Sequence, residues 1–251
     1  MKAASGDSVP DPDIKTAAIR RSLGAYDAGF GMATSLPTPT IEPDPVDVAL
    51  VLAADCSGSV SNEDLTLQLR GYAEAITSAP VIRAVRSGRH GRIALTFVGW
   101  SDARRQDQLV PWAVIDGLPA ARDFAVGLLN APHPIPGYTS ISGAIDYCAG
   151  LLSRLGCVPE QQVIDVSGDG VNTDGRAVTE ARDAAVAAGI RINGLPIVRQ
   201  NADIAAYYAE NVIGGPAAFV VVAADITSFH AAVLRKLVVE IATELVAGVA
   251  G

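Results

Sequence analysis

The segment that most restricts the fold is 46–64, which reads VDVALVLAADCSGSVSNED. Its first nine residues are almost all apolar and several are β-branched, which is typical of a strand covered on both faces in a parallel sheet. Gly58 favours a turn after this strand, and Ser61 followed three residues later by Asp64 indicates a helix N-cap. The sequence therefore predicts a central strand, a short loop and a helix.

The loop between this strand and the helix carries Asp55, Ser57 and Ser59 at alternate positions. In open α/β sheets ligands bind beyond the carboxyl ends of the strands, so the loop lies where binding sites form. One carboxylate and two hydroxyls are oxygen donors of the kind that Mg²⁺ prefers, which indicates a divalent-cation site. The alternative is that these side chains only satisfy backbone groups of the turn and the helix cap, and the pentapeptide alone leaves both open.

Predicted strands and helices alternate along the rest of the chain, which favours a parallel sheet with helices on both faces. The connection 101–107 is too short for a helical crossover, so the strand after it is predicted to run antiparallel at the sheet edge, where Pro111 is tolerated. The predicted fold is α/β and doubly wound, with a mostly parallel sheet of about six strands and one antiparallel edge strand. The strands are predicted at 46–54, 92–100, 108–115, 161–166, 190–197 and 217–223, and the helices at 61–80, 116–130, 140–155, 176–188, 201–210 and 226–245.

The charge balance narrows the class of partner. With 19 basic and 27 acidic residues the net charge is −8, which argues against nucleic acid and anionic lipid as partners. No apolar run approaches the roughly 20 residues that span a bilayer, so no membrane span is predicted.

The N-terminal segment 1–45 is predicted to be flexible or extended, because four prolines between Pro37 and Pro45 prevent continuous regular structure. The folded domain is predicted to cover 46–247. No apolar core of an export signal is visible in 1–45.

Two distant residues complete the candidate site. Thr139 follows a Pro- and Gly-rich loop and directly precedes a predicted helix, and Asp169 lies in the Ser-Gly-Asp-Gly turn after the strand predicted at 161–166. If that strand lies beside the strand at 46–54, the three loops meet at one edge of the sheet. The prediction fails if the coordinates separate Thr139 or Asp169 from Ser57 and Ser59.

The ordered pattern of Asp-x-Ser-x-Ser, a distant Thr and a distant Asp before Gly resembles the metal-ion-dependent adhesion site (MIDAS) of von Willebrand factor type A (VWA) domains, shared with integrin inserted domains. The likeness covers about 46–247. The phrases HGRIALTFVGW, LVPWAVID and VIDVSGDG also resemble an uncharacterised bacterial subfamily of VWA domains. Members of that subfamily often look exported, so the compartment stays open between exported or periplasmic and cytoplasmic.

The resemblance implies a role for each of the five residues. Ser57 and Ser59 would bind Mg²⁺ directly, Thr139 directly or through water, and Asp55 and Asp169 mainly through water and hydrogen bonds to the serines. Mn²⁺ and Ca²⁺ are alternative cations. Because the direct ligands are neutral hydroxyls, the cation keeps much of its charge and an open coordination position that a partner's carboxylate can fill.

The expected function is therefore cation-dependent binding of a protein that presents an Asp or Glu side chain, and not catalysis. One alternative is a Mg²⁺-dependent hydrolase or phosphoryl-transfer enzyme, against which stand the absence of a phosphate-loop motif and of any lysine in the three loops. The other alternative is an intracellular VWA partner of a ring ATPase.

Overall fold

A five-stranded sheet forms the centre of the computed structural model, which describes residues 44–133, 137–199, 201–226 and 228–242. The strands lie in the order β3-β2-β1-β4-β5, with β3 antiparallel to β2 and the other pairs parallel. This confirms the predicted mostly parallel sheet with one antiparallel edge strand. The strands are β1 Pro45–Asp55, β2 Ile93–Trp100, β3 Gln106–Ile115, β4 Val158–Gly168 and β5 Ile190–Pro196.

The first strand, β1, is the central strand that the apolar run predicts. Every residue of β1 after Pro45 is buried, because β2 and β4 flank the strand and a hydrophobic core covers each face of the sheet. At its carboxyl end, Ala54 lies opposite Ser167 of β4 and Asp55 opposite Trp100 of β2. The loops after β1 and β4 therefore leave the sheet side by side, at the point where the strand order changes direction.

Helices cover both faces of the sheet, as predicted. Because side chains alternate along a strand, Leu50 and Leu52 pack on one face and Val51 and Ala53 on the other. Among the described residues, no helix combines the length and the apolar composition that a bilayer span requires. The first face carries α1 Asn62–Ile76, α2 Ala79–Ser87, α3 Leu118–Leu129 and α7 Phe229–Ala242; the second carries α4 Ile141–Leu152, α5 Val178–Ala187, α6 Ile204–Tyr207 and a π-helical turn at Tyr208–Val212.

The helix predicted to run to Pro80 is two helices. α1 ends at Ile76, and Ser78 then caps α2 by accepting a hydrogen bond from the backbone N–H of Val81. Pro80 lies in the first turn of α2, where a missing N–H removes no intrahelical bond. The proline therefore starts a helix here instead of ending one.

The segment predicted as a sixth strand, 217–223, makes only isolated bridges. Val220 bridges Gly194, and Ala223 bridges Ile197, both in the parallel sense. Ala217 has a left-handed φ of 57°, which breaks the extended backbone at the start of the segment. Most of 1–45 and the helix residues predicted beyond Ala242 lie outside the described residues.

A buried cluster of charges attaches α7 to the sheet. The Nζ atom of Lys236 lies 2.7 Å from Oδ1 of Asp165 on β4 and also contacts Glu240, whose Oε1 accepts a hydrogen bond of 2.9 Å from Asn193 of β5. The side chains of these three ionisable residues are almost completely buried. Burial, followed by the negative charge of Glu240, raises the pKa of Asp165 to about 7.

Asp165→Asn is expected to weaken the dependence of stability on pH. Between about pH 4 and pH 7 the folded state holds a proton on Asp165 that the unfolded state has lost, so the free energy of unfolding falls as the pH rises, by up to about 1.4 kcal/mol per pH unit for each such group. Asparagine resembles the neutral carboxyl and cannot titrate, so it removes the contribution of Asp165 to the change of unfolding free energy with pH. Urea unfolding at several pH values between about 4 and 7 measures this change.

The exposed carboxylate of Asp183 provides the control, because Asp183→Asn should keep the wild-type slope. A wild-type slope in the Asp165→Asn protein would contradict the assignment of the proton to this cluster.

Candidate metal centre

Hydrogen bonds connect four of the five residues that the sequence singles out. Oδ1 of Asp55 accepts a 2.7 Å hydrogen bond from the backbone N–H of Ser57, and the hydroxyl oxygens of Ser57 and Ser59 lie 3.2 Å apart. The hydroxyl of Ser59 donates to Oδ1 of Asp169 at 2.7 Å. Asp55, at the end of β1, and Asp169, just after β4, thus contact the same two serines.

Thr139, the fifth residue, is brought to the same place by backbone contacts. The N–H of Gly58 donates to the carbonyl of Gly137 at 2.9 Å, which ties the loop after β1 to the segment that carries Thr139. The carbonyl of Thr139 accepts a 2.8 Å hydrogen bond from the N–H of Thr173, in the loop after β4. A Cβ atom on Gly170 would lie 3.5 Å from the Thr139 hydroxyl oxygen. The three loops therefore converge, as the sequence predicts.

The serines of the candidate site are separate from the residues that cap the helices. Ser61 caps α1 by accepting the N–H of Asp64 at 3.1 Å, and Ser140 caps α4 by accepting the N–H of Gly143 at 3.2 Å. The hydroxyls of Ser57 and Ser59 make no cap. Of the alternative contacts, the helix cap is made by Ser61 and not by Ser57 or Ser59, whereas Oδ1 of Asp55 does accept a backbone N–H of the turn, that of Ser57.

Asp55 is a buried carboxylate with one unpaired oxygen atom. Its side chain is fully buried, and within the described part of the chain its Oδ2 atom has no hydrogen-bond partner. Burial raises the pKa of the carboxyl to about 7, although hydrogen bonds from Ser57 act in the opposite direction. A buried, half-paired carboxylate is stabilised by a nearby cation, so the residues present fit a bound divalent ion.

Arg199 is a site residue that sequence reasoning missed. Its Nε lies 3.4 Å from Oδ2 of Asp169, its Nη1 donates to the carbonyl of Ser59 at 3.2 Å, and its Nη2 contacts Asp64. The guanidinium therefore compensates the charge of Asp169. The available signal was its position three residues after Pro196, the last residue of β5, because β5 lies beside β4 and ends at the same edge.

A cleft opens directly above these groups. Its volume is about 540 Å³, which is large enough to admit a side chain of another molecule. Hydroxyl groups, one carboxylate and one guanidinium are among the groups that line it. The lining residues are Ser59, Thr139, Asp169, Gly170, Val171, Thr173, Arg199 and Asn201.

A second group of metal-ligand types, Asp47, His90 and Glu160, lies near the opposite end of β1. Asp47 accepts hydrogen bonds from the backbone N–H groups of His90 at 2.7 Å and Arg92 at 3.2 Å. Glu160 lies 2.9 Å from the His90 ring and 3.2 Å from Arg89. These contacts account for the group without an ion.

Comparison with solved structures defines the class of fold. Proximal thread matrix protein 1 from the mussel byssus superposes with a TM-score of 0.60 and 16% identity over 80% of this chain and 49% of that chain. The same protein with a zinc-occupied MIDAS motif superposes with a TM-score of 0.56 and 15% identity, over 78% of this chain and 48% of that chain. A von Willebrand factor type A protein from Catenulispora acidiphila superposes with a TM-score of 0.52 and 14% identity, over 80% of this chain and 43% of that chain. The chain has the VWA fold, and it spans about half the length of these proteins or less.

A family model identifies the chain more closely. The model described as "Protein of unknown function (DUF1194)" matches residues 45–245, and the chain belongs to that family. The search of curated proteins gave no significant match.

Proposed function

We propose that this chain is a divalent-cation-dependent protein-binding module. Mg²⁺ is held by Asp55, Ser57, Ser59, Thr139 and Asp169, and the open coordination position accepts an Asp or Glu carboxylate of a partner protein. The observation that carries the proposal is the convergence of these five residues from three loops, with the Ser59 hydroxyl 2.7 Å from Asp169.

The chemistry of the donor set supports a hard divalent cation. Hydroxyl oxygens of Ser57, Ser59 and Thr139 are neutral, so they leave the ion most of its charge, while the two carboxylates hold the serines and the ordered water around it. Mg²⁺ commonly keeps several waters, and one of these is the ligand that a partner replaces. Mn²⁺ and Ca²⁺ fit the same oxygen set.

The surroundings of the cleft support an acidic ligand. A guanidinium has five N–H donors, and the contacts of Arg199 with Ser59, Asp64 and Asp169 leave further donors for an anion that enters the cleft. Tyr138, next to Thr139, is 74% exposed, and exposed aromatic side chains are frequent contact residues in protein interfaces. A carboxylate beside an apolar group therefore fits this surface.

The contacts of the Ser57 and Ser59 hydroxyls favour binding over catalysis. The hydroxyls of Ser57 and Ser59 contact each other and Asp169, and the described residues that line the cleft include no histidine, cysteine or lysine to act as base or nucleophile. We therefore retain the enzyme and the ring-ATPase partner only as alternatives, and the following experiment distinguishes carboxylate binding from the enzyme.

The test uses immobilised peptides with a central Asp or Glu and matched peptides with Asn or Gln. We expect the acidic peptides alone to bind the full chain, and only when Mg²⁺ is present, because the carboxylate is the group that enters the coordination sphere. EDTA should release them.

A Ser57→Ala, Ser59→Ala double variant supplies the negative control, since it removes two direct ligands. Binding that is equal for acidic and amide peptides, or that is indifferent to EDTA, would argue against the proposal. Hydrolysis of a phosphate ester in place of peptide binding would favour the enzyme.

A further inference from the structure

Two buried oxygen atoms beside the candidate metal centre have no hydrogen-bond partner in the described part of the chain: Oδ2 of Asp55 and the hydroxyl of Tyr208. Both side chains are fully buried. Buried polar groups are nearly always paired in folded proteins, so each of these atoms requires an explanation. The hydrogen bond from the backbone N–H of Ser57 ends on Oδ1 of Asp55, and Tyr208 was not part of the predicted site.

The two atoms lie close to the same glycine. A Cβ atom built on Gly168, the last residue of β4, would lie 2.9 Å from Oδ2 of Asp55 and 2.8 Å from the hydroxyl oxygen of Tyr208. Both oxygen atoms therefore border the same small space, which exists because residue 168 has no side chain. A modest movement of either side chain brings them within hydrogen-bond distance.

The ring of Tyr208 packs closely against the backbone of two neighbouring strands. Tyr208 begins the π-helical turn that ends at Val212, and such turns are often found at functional sites. A Cβ atom on Gly194 of β5 would lie 2.9 Å from Cδ1 of the ring, so glycines on two neighbouring strands make room for it. Gly168 and Gly194 thus direct the hydroxyl towards the end of β1, where Asp55 lies.

The chemistry of the pair is complementary. Oδ1 of Asp55 already accepts the N–H of Ser57, which leaves Oδ2 as an acceptor, and a phenol is a donor at neutral pH. Hydrogen bonds around an active centre are often long in the unliganded state and shorten when the ligand is bound.

We propose that Tyr208 is a positioning residue of the cation site: when the cation is bound, its hydroxyl donates a hydrogen bond to Oδ2 of Asp55 and fixes the carboxylate in the orientation that supports Ser57 and Ser59. This inference rests on the proposed function, because it requires that the site binds a divalent ion. It assigns Tyr208 no contact with the ion or with the partner.

Tyr208→Phe tests the proposal, because it removes only the hydroxyl and keeps the packed ring. Residues that orient metal ligands typically change affinity by about 10- to 100-fold, and we expect the dissociation constant for Mg²⁺, measured by titration calorimetry on the full chain, to rise within that range. The melting temperature in EDTA should stay equal or rise, since the variant removes an unpaired buried group. A purely structural role would instead lower that melting temperature.

The neighbouring tyrosine provides a matched control. The Tyr207 hydroxyl accepts the backbone N–H of Asn172 at 3.2 Å and touches none of the five site residues, so Tyr207→Phe should leave Mg²⁺ affinity within about twofold of wild type. A crystal structure with Mn²⁺ bound should place the Tyr208 hydroxyl about 2.5 to 3.0 Å from Oδ2 of Asp55.

The outcomes separate the two proposals. Wild-type affinity for Mg²⁺ in Tyr208→Phe, or a large loss of stability in EDTA, would overturn the role of Tyr208 while the cation site stands. Absence of Mg²⁺ binding by the wild-type protein would remove the proposed function and this inference together.

Discussion

Replacing Asp55 by asparagine is expected to abolish the stabilisation of the protein by Mg²⁺ and to leave the metal-free protein as stable as wild type or more so. A ligand that binds only the folded state adds about 2.7 kcal/mol at a concentration of 100 times its dissociation constant, and this gain should vanish. In EDTA at about pH 8 the variant no longer buries an ionised carboxylate with an unpaired oxygen, which is worth on the order of 1–2 kcal/mol. Thermal unfolding with and without Mg²⁺ measures both effects.

Asp47→Asn is the matched control, because Asp47 is an equally buried carboxylate near the other end of β1. Its oxygens accept the N–H groups of His90 and Arg92, so asparagine should destabilise the protein with and without the ion and leave the Mg²⁺ increment intact. An undiminished Mg²⁺ increment in Asp55→Asn would rule out Asp55 as part of a cation site.

Adding one methyl group at Gly168 is expected to damage both stability and cation binding. The new Cβ would lie 2.9 Å from Oδ2 of Asp55 and 2.8 Å from the Tyr208 hydroxyl, closer than real Cβ contacts allow. Overpacking in a close-packed interior costs about 1–3 kcal/mol, and the displaced carboxylate can no longer support the serine ligands. We expect Gly168→Ala to lower the melting temperature in EDTA and to weaken Mg²⁺ binding by at least about 10-fold.

Gly156→Ala controls for the general effect of replacing glycine. A Cβ atom there would meet nothing within 4 Å, so the substitution should be neutral or slightly stabilising through the unfolded chain. Wild-type behaviour of Gly168→Ala in both measurements would show that the end of β4 is looser than these distances indicate.

The parts of the fold that could be predicted are those that local sequence determines. The apolar run of β1 indicates a strand buried on both faces, and Ser61 with Asp64 marks the start of α1 through bonds that span three residues. The convergence of the site could also be predicted on the condition that the two strands are neighbours, because Asp55 ends β1, Asp169 directly follows β4, and neighbouring parallel strands end at the same edge. The metal itself stays a prediction.

The remainder depends on contacts between residues far apart in the chain. The bond of Arg199 to the carbonyl of Ser59 joins residues 140 positions apart, and no local pattern indicates it. The segment 217–223 has the composition of a strand, yet the left-handed residues Gly215 and Ala217 turn the chain before it can pair continuously. Tyr208 lies beside the site through close approaches to Gly168 and Gly194, which are distant in the sequence and which no local pattern indicates.

The antiparallel strand β3 has a free edge that could pair with a strand of another molecule. It is the terminal strand on its side of the sheet, and such strands tend to recruit a further strand from another molecule and polymerise. Pro111 lacks a backbone N–H, and the irregular pairing of β2 with β3 around Phe97 bends the strand, so this edge is a poorer template for a further strand. Strand addition is therefore a poor route to self-association for this chain.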